Sequence, residues 1–120
     1  MTARSVCFLL LAPLLATGCG SDEAAPPPGD PEKGRAIIRA YGCGSCHVIP
    51  GIPGADGRTG PSLERIAKRV YLAGVLPNTP DDMARWIREP ETVDPRTAMP
   101  NMGVSESDAR DITAYLYTRK

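Results

Sequence analysis

A chain of 120 residues with 14 basic and 14 acidic side chains has room for one domain and carries no net charge. That balance, without any basic tract, excludes the electrostatic footprint of nucleic-acid binding. Aromatic residues make up only 5% while Gly and Pro number 12 and 13, so the domain is small and loop-rich, with a modest core of its own.

The first segment reads as a processing signal rather than as part of the fold. Arg4 supplies one positive charge, and Val6 to Leu15 is an apolar run, too short to span a bilayer and interrupted by Pro13. Leu15-Ala16-Thr17-Gly18-Cys19 follows. Small residues before a cysteine resemble the lipobox of bacterial lipoproteins, in which the cysteine is lipidated and becomes the mature N-terminus. Ala16 stands where leucine is commoner, and the alternative is an ordinary signal peptide cleaved near Ala16 or Gly18. Residues 1–18 are thus expected to be a lipoprotein signal peptide and Cys19 the lipid-bearing terminus. On either alternative the chain is exported. Gly20 to Gly29 has no apolar periodicity and contains Pro26-Pro27-Pro28. Residues 19–29 therefore read as a lipidated terminus and Pro-rich tether. At roughly 3.1 Å per residue it would reach on the order of 30 Å from a membrane surface. The folded domain is expected over residues 30–120.

A helix is predicted next. Asp30 can cap it, Pro31 suits its first position, and Gly42 ends it. Gly34, Ile37, Ile38 and Tyr41 fall on one face. The glycine there weakens the helix by about 1 kcal/mol relative to alanine, a loss offset only where another helix packs closely.

Cys43-Gly44-Ser45-Cys46-His47 follows directly. Two thiols two residues apart, with histidine next, form the attachment signature of a c-type haem. Each thiol can add across one porphyrin vinyl group, and the adjacent His47 is then placed under the iron as its proximal ligand. A thioredoxin-like pair would sit in a βαβ pattern, which is absent. A zinc site needs four ligands, and no second Cys/His pair exists downstream. His47 is the only histidine, so the chain attaches one haem by this motif and cannot ligate it with two histidines. With Cys7 in the signal, Cys19 on lipid and Cys43 and Cys46 on haem, no cysteine is left for a disulfide.

Val48 to Gly60 is rich in glycine and proline and predicts irregular chain. A second helix is expected from Ser62, with Leu63, Ile66, Ala67, Val70 and Tyr71 on its inner face and Gly74 as its stop. A third begins at Thr79-Pro80-Asp81-Asp82, buries Met83, Trp86 and Ile87, and closes at Pro90. Glu91 to Gly103 is expected to be loop. The last helix opens with the capping-box variant Ser105-Glu106-Ser107-Asp108 and turns Ala109, Ile112, Tyr115 and Leu116 inward. No segment reads as a strand. The expected class is all-α, about four helices and irregular loops around one covalent haem.

In this order of elements the chain resembles class I cytochromes c over Asp30 to Arg119. Gly60-Pro61-Ser62-Leu63 is similar to the family's Gly-Pro-x-Leu, whose proline carbonyl accepts the proximal histidine's ring N–H. Met99-Pro100 resembles the methionine-ligand loop and Ala114-Tyr115-Leu116 the C-terminal helix, where the resemblance implies that Tyr115 meets Gly34. Ala73 to Pro80, followed by Trp86-Ile87-Arg88 and Pro90, is similar to the cytochrome domain of subunit II of caa-type haem-copper oxidases. The chain has no room for the copper-binding domain that precedes it there.

The resemblance implies Met99 as sixth ligand, with Met102 as alternative and Met83 in the core. Trp86 is a candidate haem-propionate partner or simply a large core residue. Arg58 and Arg69 read as solvated faces. The function implied is a membrane-anchored, mono-haem carrier of single electrons in a respiratory chain, to or within a terminal oxidase. Its partners would be a haem-copper oxidase or a quinol-oxidising complex, with no small-molecule substrate. The haem domain is expected on the periplasmic or extracytoplasmic side of a bacterial membrane. Competing readings are a haem enzyme or sensor with an open sixth position, and a fixed subunit of an oxidase complex. Lysines are few (Lys33, Lys68 and Lys120), so no dense lysine ring marks a docking face.

Overall fold

The computed structural model describes residues 25–119. The segment expected to be a signal peptide, the Cys19 expected to carry lipid and the start of the expected tether lie outside them. Helix α1 spans Pro31–Ala40 and is capped as its sequence dictates, the Asp30 carboxylate accepting from the N–H groups of Glu32 (3.0 Å) and Lys33 (3.2 Å). Helix α2 spans Pro80–Arg88, with Thr79 Oγ1 accepting from Asp82 N–H at 3.1 Å. A short α3 covers Pro90–Val93, and α4 covers Glu106–Tyr117, capped by Ser105 Oγ on Asp108 N–H at 3.1 Å. The Asp108 carboxylate does not turn back to complete a capping box. It accepts from Tyr41 Oη at 2.8 Å and ties the end of α1 to the start of α4.

The core lies where α4 crosses α1 and packs on α2, and it includes Ile38, Met83, Ile87, Ala109, Ile112 and Leu116. Met83 is only 2% exposed, as its place on the helix face predicts. The α1–α4 crossing forms at Gly34, where the atoms nearest to the glycine belong to the backbone of Asp111 and Ile112. A Cβ on Gly34 would stand 1.9 Å from the Asp111 carbonyl oxygen and 2.5 Å from its carbon, so the two backbones touch directly. The Asp111 side chain also accepts from Asp30 N–H at 2.7 Å. Tyr115 is buried one turn later, where its hydroxyl donates to the Pro50 carbonyl at 2.8 Å and its ring stacks under Arg119. Pitch separates the two contacts: a glycine admits the partner backbone, and four residues further along the helix the tyrosine hydroxyl reaches the Pro50 carbonyl.

The helix expected from Ser62 does not form. Arg65 has φ +52°, a left-handed conformation that a helix cannot pass through, and only a 3-10 turn follows at Ile66–Lys68. The chain then makes a small antiparallel hairpin, β1 (Tyr71–Leu72) with β2 (Leu76–Pro77), in register Tyr71 opposite Pro77 and Leu72 opposite Leu76. Ala73 and Gly74 turn it with φ +49° and +76°, and Val75 N–H closes onto Leu72 O at 3.0 Å. The competing interaction is tertiary. Asn78 Nδ2 donates to Ile66 O (2.8 Å) and Arg69 O (2.7 Å), carbonyls that a helix would have used, and its Oδ1 accepts from Tyr117 Oη at 2.9 Å. Leu72 is buried, while Val70 and Tyr71, expected inside, are 75% and 61% exposed.

Pro90 also departs from expectation. It ends α2 but opens α3 at once, because a residue without an N–H is well placed at a first helical position. The molecule remains helices and loops, with one minimal sheet.

Candidate functional site

Gly42, at φ +70°, ends α1 and turns the chain into a 3-10 turn, Cys43–Ser45. The motif is wound tightly: Cys46 N–H and His47 N–H both donate to Cys43 O, at 3.2 and 3.1 Å. Cys43 and Cys46 are half-buried free thiols, and burial pushes the Cys43 thiol above its ordinary pKa.

The segment after the motif folds back over it. Gly57 N–H donates to Gly44 O (3.0 Å) and Gly60 N–H to Cys46 O (2.8 Å). This return passes so close that a Cβ on Gly60 would stand 2.4 Å from His47 Cε1. The next residue holds the imidazole: His47 Nδ1 lies 2.7 Å from the Pro61 carbonyl oxygen. A carbonyl only accepts, so Nδ1 carries the ring proton and Nε2 keeps its lone pair for a metal. One turn thus presents two free thiols and one oriented imidazole nitrogen. Among the described residues no group of three or more His, Cys, Asp and Glu gathers as a metal site. The donor set fits a covalently attached iron porphyrin.

The remaining candidates come from other elements. Met99 is half-buried in the loop before α4, its N–H held by Thr97 Oγ1 at 3.1 Å, while Met102 in the same loop is 44% exposed. Trp86 is half-buried on α2 and lies outside the buried core cluster. Arg58 is exposed, and exposed Arg69 donates to Ser62 O at 2.5 Å. Sequence reasoning missed Asn78 and the Tyr41–Asp108 pair. Asn78 follows Pro77 in what reads as a turn, and its bonding to Ile66 and Arg69 is invisible without the hairpin.

A helical shell crossing at glycine, built around a Cys-x-x-Cys-His turn, defines a c-type cytochrome domain. The chain belongs to the cytochrome c family, whose profile matches residues 31–120. The family is one of electron-carrying domains whose cofactor is covalent haem c. Among curated proteins it is similar to cytochrome c oxidase subunit 2 of Alkalihalophilus pseudofirmus, 30% identical over 89 residues, which cover 73% of this chain and 25% of that one. The same subunit of Bacillus subtilis is 26% identical over 90 residues (73% and 25%), and that of Bacillus sp. strain PS3 is 29% identical over 93 (74% and 26%). The chain thus spans about a quarter of the length of the curated relatives it matches. Cytochrome c2 of Rhodobacter sphaeroides shares the fold, with TM-score 0.53 and 22% identity over 76% of this chain and 96% of that one.

Proposed function

We propose that this protein is a membrane-anchored mono-haem cytochrome that passes single electrons in a respiratory chain, to or within a terminal oxidase. The observation that carries the site is the Pro61 carbonyl on His47 Nδ1, which leaves Nε2 as the proximal donor. When bound, haem c supplies a one-electron iron couple. Cys43 and Cys46 would hold it by thioether links, and His47 Nε2 would ligate its iron. Pro61 fixes the ring's tautomer and orientation and raises its basicity. Met99 would supply a second iron ligand, a thioether that favours the ferrous state and leaves no place for exogenous ligands. Its half-buried position, against the greater exposure of Met102, supports that choice. Trp86, half-buried on α2, is the candidate partner for a propionate.

The subunit 2 relatives support an oxidase as electron acceptor, and the Ala16-Thr17-Gly18-Cys19 sequence supports a lipid anchor at Cys19 on the extracytoplasmic side. The fixed-subunit reading draws on the same relatives. Copurification of an oxidase with this protein in a mild detergent extract would select it over a diffusing carrier.

The test of the site is ligand exchange. The oxidised protein should show the weak far-red methionine–iron charge-transfer band. Met99→Ala should lose that band, lower the reduction potential and admit carbon monoxide to the ferrous form, whereas Met102→Ala should change none of these. Rapid, complete carbon monoxide binding by the unmodified reduced protein would replace the carrier with a haem enzyme or sensor. For the anchor, the mature protein's mass should include a lipid on Cys19, and Cys19→Ala should release it from membranes or block its maturation.

A further inference from the structure

The β1–β2 hairpin has two dissimilar sides and one of them is unusual. Leu72 and Leu76, opposite each other in the register, form its inner side, with Leu72 buried in the core. Tyr71 and Pro77, also opposite each other, form the outer side, and Val75 lies exposed in the turn that joins the strands. An outward hairpin face on a soluble domain is ordinarily polar. Here Tyr71 is 61% and Val75 44% exposed, Pro77 is exposed, and Val70 just beyond the ladder is the most exposed large apolar residue among those described. Among the described residues the exposed large apolar side chains are Val70, Tyr71, Val75 and Met102; two of these lie on this hairpin and a third directly precedes it.

Charge and tether length indicate what covers it. Lys68 and Arg69, both exposed, precede Val70 directly, and Asn78 clamps the Arg69 carbonyl so that these cations stay at the hairpin's base. An apolar tip with an interfacial tyrosine and a basic base is the side-chain arrangement that inserts shallowly into a lipid headgroup layer. The Asp82 carboxylate is taken by the Thr79 hydroxyl at 2.8 Å, while Asp81 and Glu64 are exposed and limit the net positive charge. Attraction to anionic lipid is therefore modest and the apolar tip dominates. With the anchor proposed at Cys19, the segment 20–29 keeps the domain within roughly 30 Å of a bilayer, a confinement that makes weak docking effective.

We infer that the Tyr71–Pro77 hairpin is a second membrane contact, which seats the domain against a phospholipid surface instead of leaving it free on its tether. Only the nearness of the bilayer rests on the anchor proposed at Cys19. Two contacts fix an orientation where one permits tumbling, so the haem domain would face its partner with a constant side.

The test uses the mature haem-loaded chain (residues 19–120) carrying Cys19→Ser, exported behind a cleavable signal so that no lipid is attached. Cosedimentation with phosphatidylglycerol/phosphatidylethanolamine vesicles should show binding, weaker on phosphatidylcholine. Tyr71→Ser/Val75→Ser should lower the partition coefficient about tenfold while keeping the haem spectrum and thermal midpoint, since both side chains are in water. Lys68→Gln should weaken binding to anionic vesicles alone and reduce its salt dependence. No vesicle binding by the unlipidated protein, or equal binding by the double variant, would overturn the inference. So would a double variant that binds vesicles normally but delivers electrons slowly to an oxidase in detergent, which assigns the face to a protein partner. The anchor is judged separately: an unmodified Cys19 in the native protein would refute it and leave the vesicle result standing.

Discussion

At the scale of single residues, the chemistry depends on how closely the chain returns over His47. Gly60 is the point of closest approach, and Gly60→Ala would place a methyl group against the imidazole. The ring must tilt, weakening its bond to Pro61, or the return loop must lift. We expect a destabilisation of about 1–3 kcal/mol together with a changed reduction potential, read by denaturant unfolding and redox titration of the holoprotein. An unchanged potential would mean that the loop moves and the imidazole does not. Tyr41 gives a pH-dependent counterpart. Its hydrogen bond to Asp108, then burial, raises its pKa above the ordinary tyrosine value. The protonated phenol is thus favoured in the folded state. Its contribution is complete below the unfolded value of about 10 and is lost as pH rises through the higher folded value. The stability gap between the unmodified protein and Tyr41→Phe should therefore be constant near neutrality and close in alkali, as measured by denaturant midpoints. Thr113 offers a third check, because its hydroxyl is buried on α4 without a hydrogen-bond partner among the described residues. Thr113→Val removes an unsatisfied group and keeps the shape. A gain of about 1 kcal/mol is expected, and a loss would show that the hydroxyl is satisfied in the holoprotein.

At the scale of elements, the α1–α4 crossing is the joint on which the domain depends. The contact is backbone against backbone at Gly34, so any side chain there must separate the helices. Gly34→Ala should destabilise by about 1–3 kcal/mol, although the same change on an exposed helix would stabilise by about 1 kcal/mol. The sign of the shift in thermal midpoint decides between them. The caps of α1, α2 and α4 were all legible, because Asp30, Thr79 and Ser105 each act on N–H groups two or three residues away. The segment after Ser62 was not. Its apolar residues repeat at helical spacing as far as Tyr71, and Leu72 to Leu76 carries no polar side chain to mark either period, so the pattern does not separate helix from strand. Asn78 decides the matter by taking carbonyls from the would-be helix, and Tyr117 holds Asn78 in place. Asn78→Ala should accordingly loosen the hairpin first, seen as faster hydrogen exchange over residues 66–78 than over α1 and α4.

At the scale of the whole molecule, one covalent haem per chain is the property from which the rest follows. Acid-acetone extraction should leave the colour with the protein. Cys43→Ser or Cys46→Ser should each lose one thioether link, and the double change should abolish attachment. The identity of that cofactor was readable in five consecutive residues, because two thiol additions and one axial bond are local requirements that only close spacing can meet. The helix starts and the glycine at the crossing were readable for the same reason: capping and backbone clearance are properties of a few neighbouring residues. What tertiary structure alone decided was which distant groups meet. It set the Asp111 backbone against Gly34, sent the Tyr115 hydroxyl to the Pro50 carbonyl, and left Tyr71 exposed on a hairpin with Val70 exposed beside it. Such choices are competitions between contacts remote in sequence, and differences of one or two hydrogen bonds settle them. Local pattern records which partners a residue can accept, and only the folded chain selects among them.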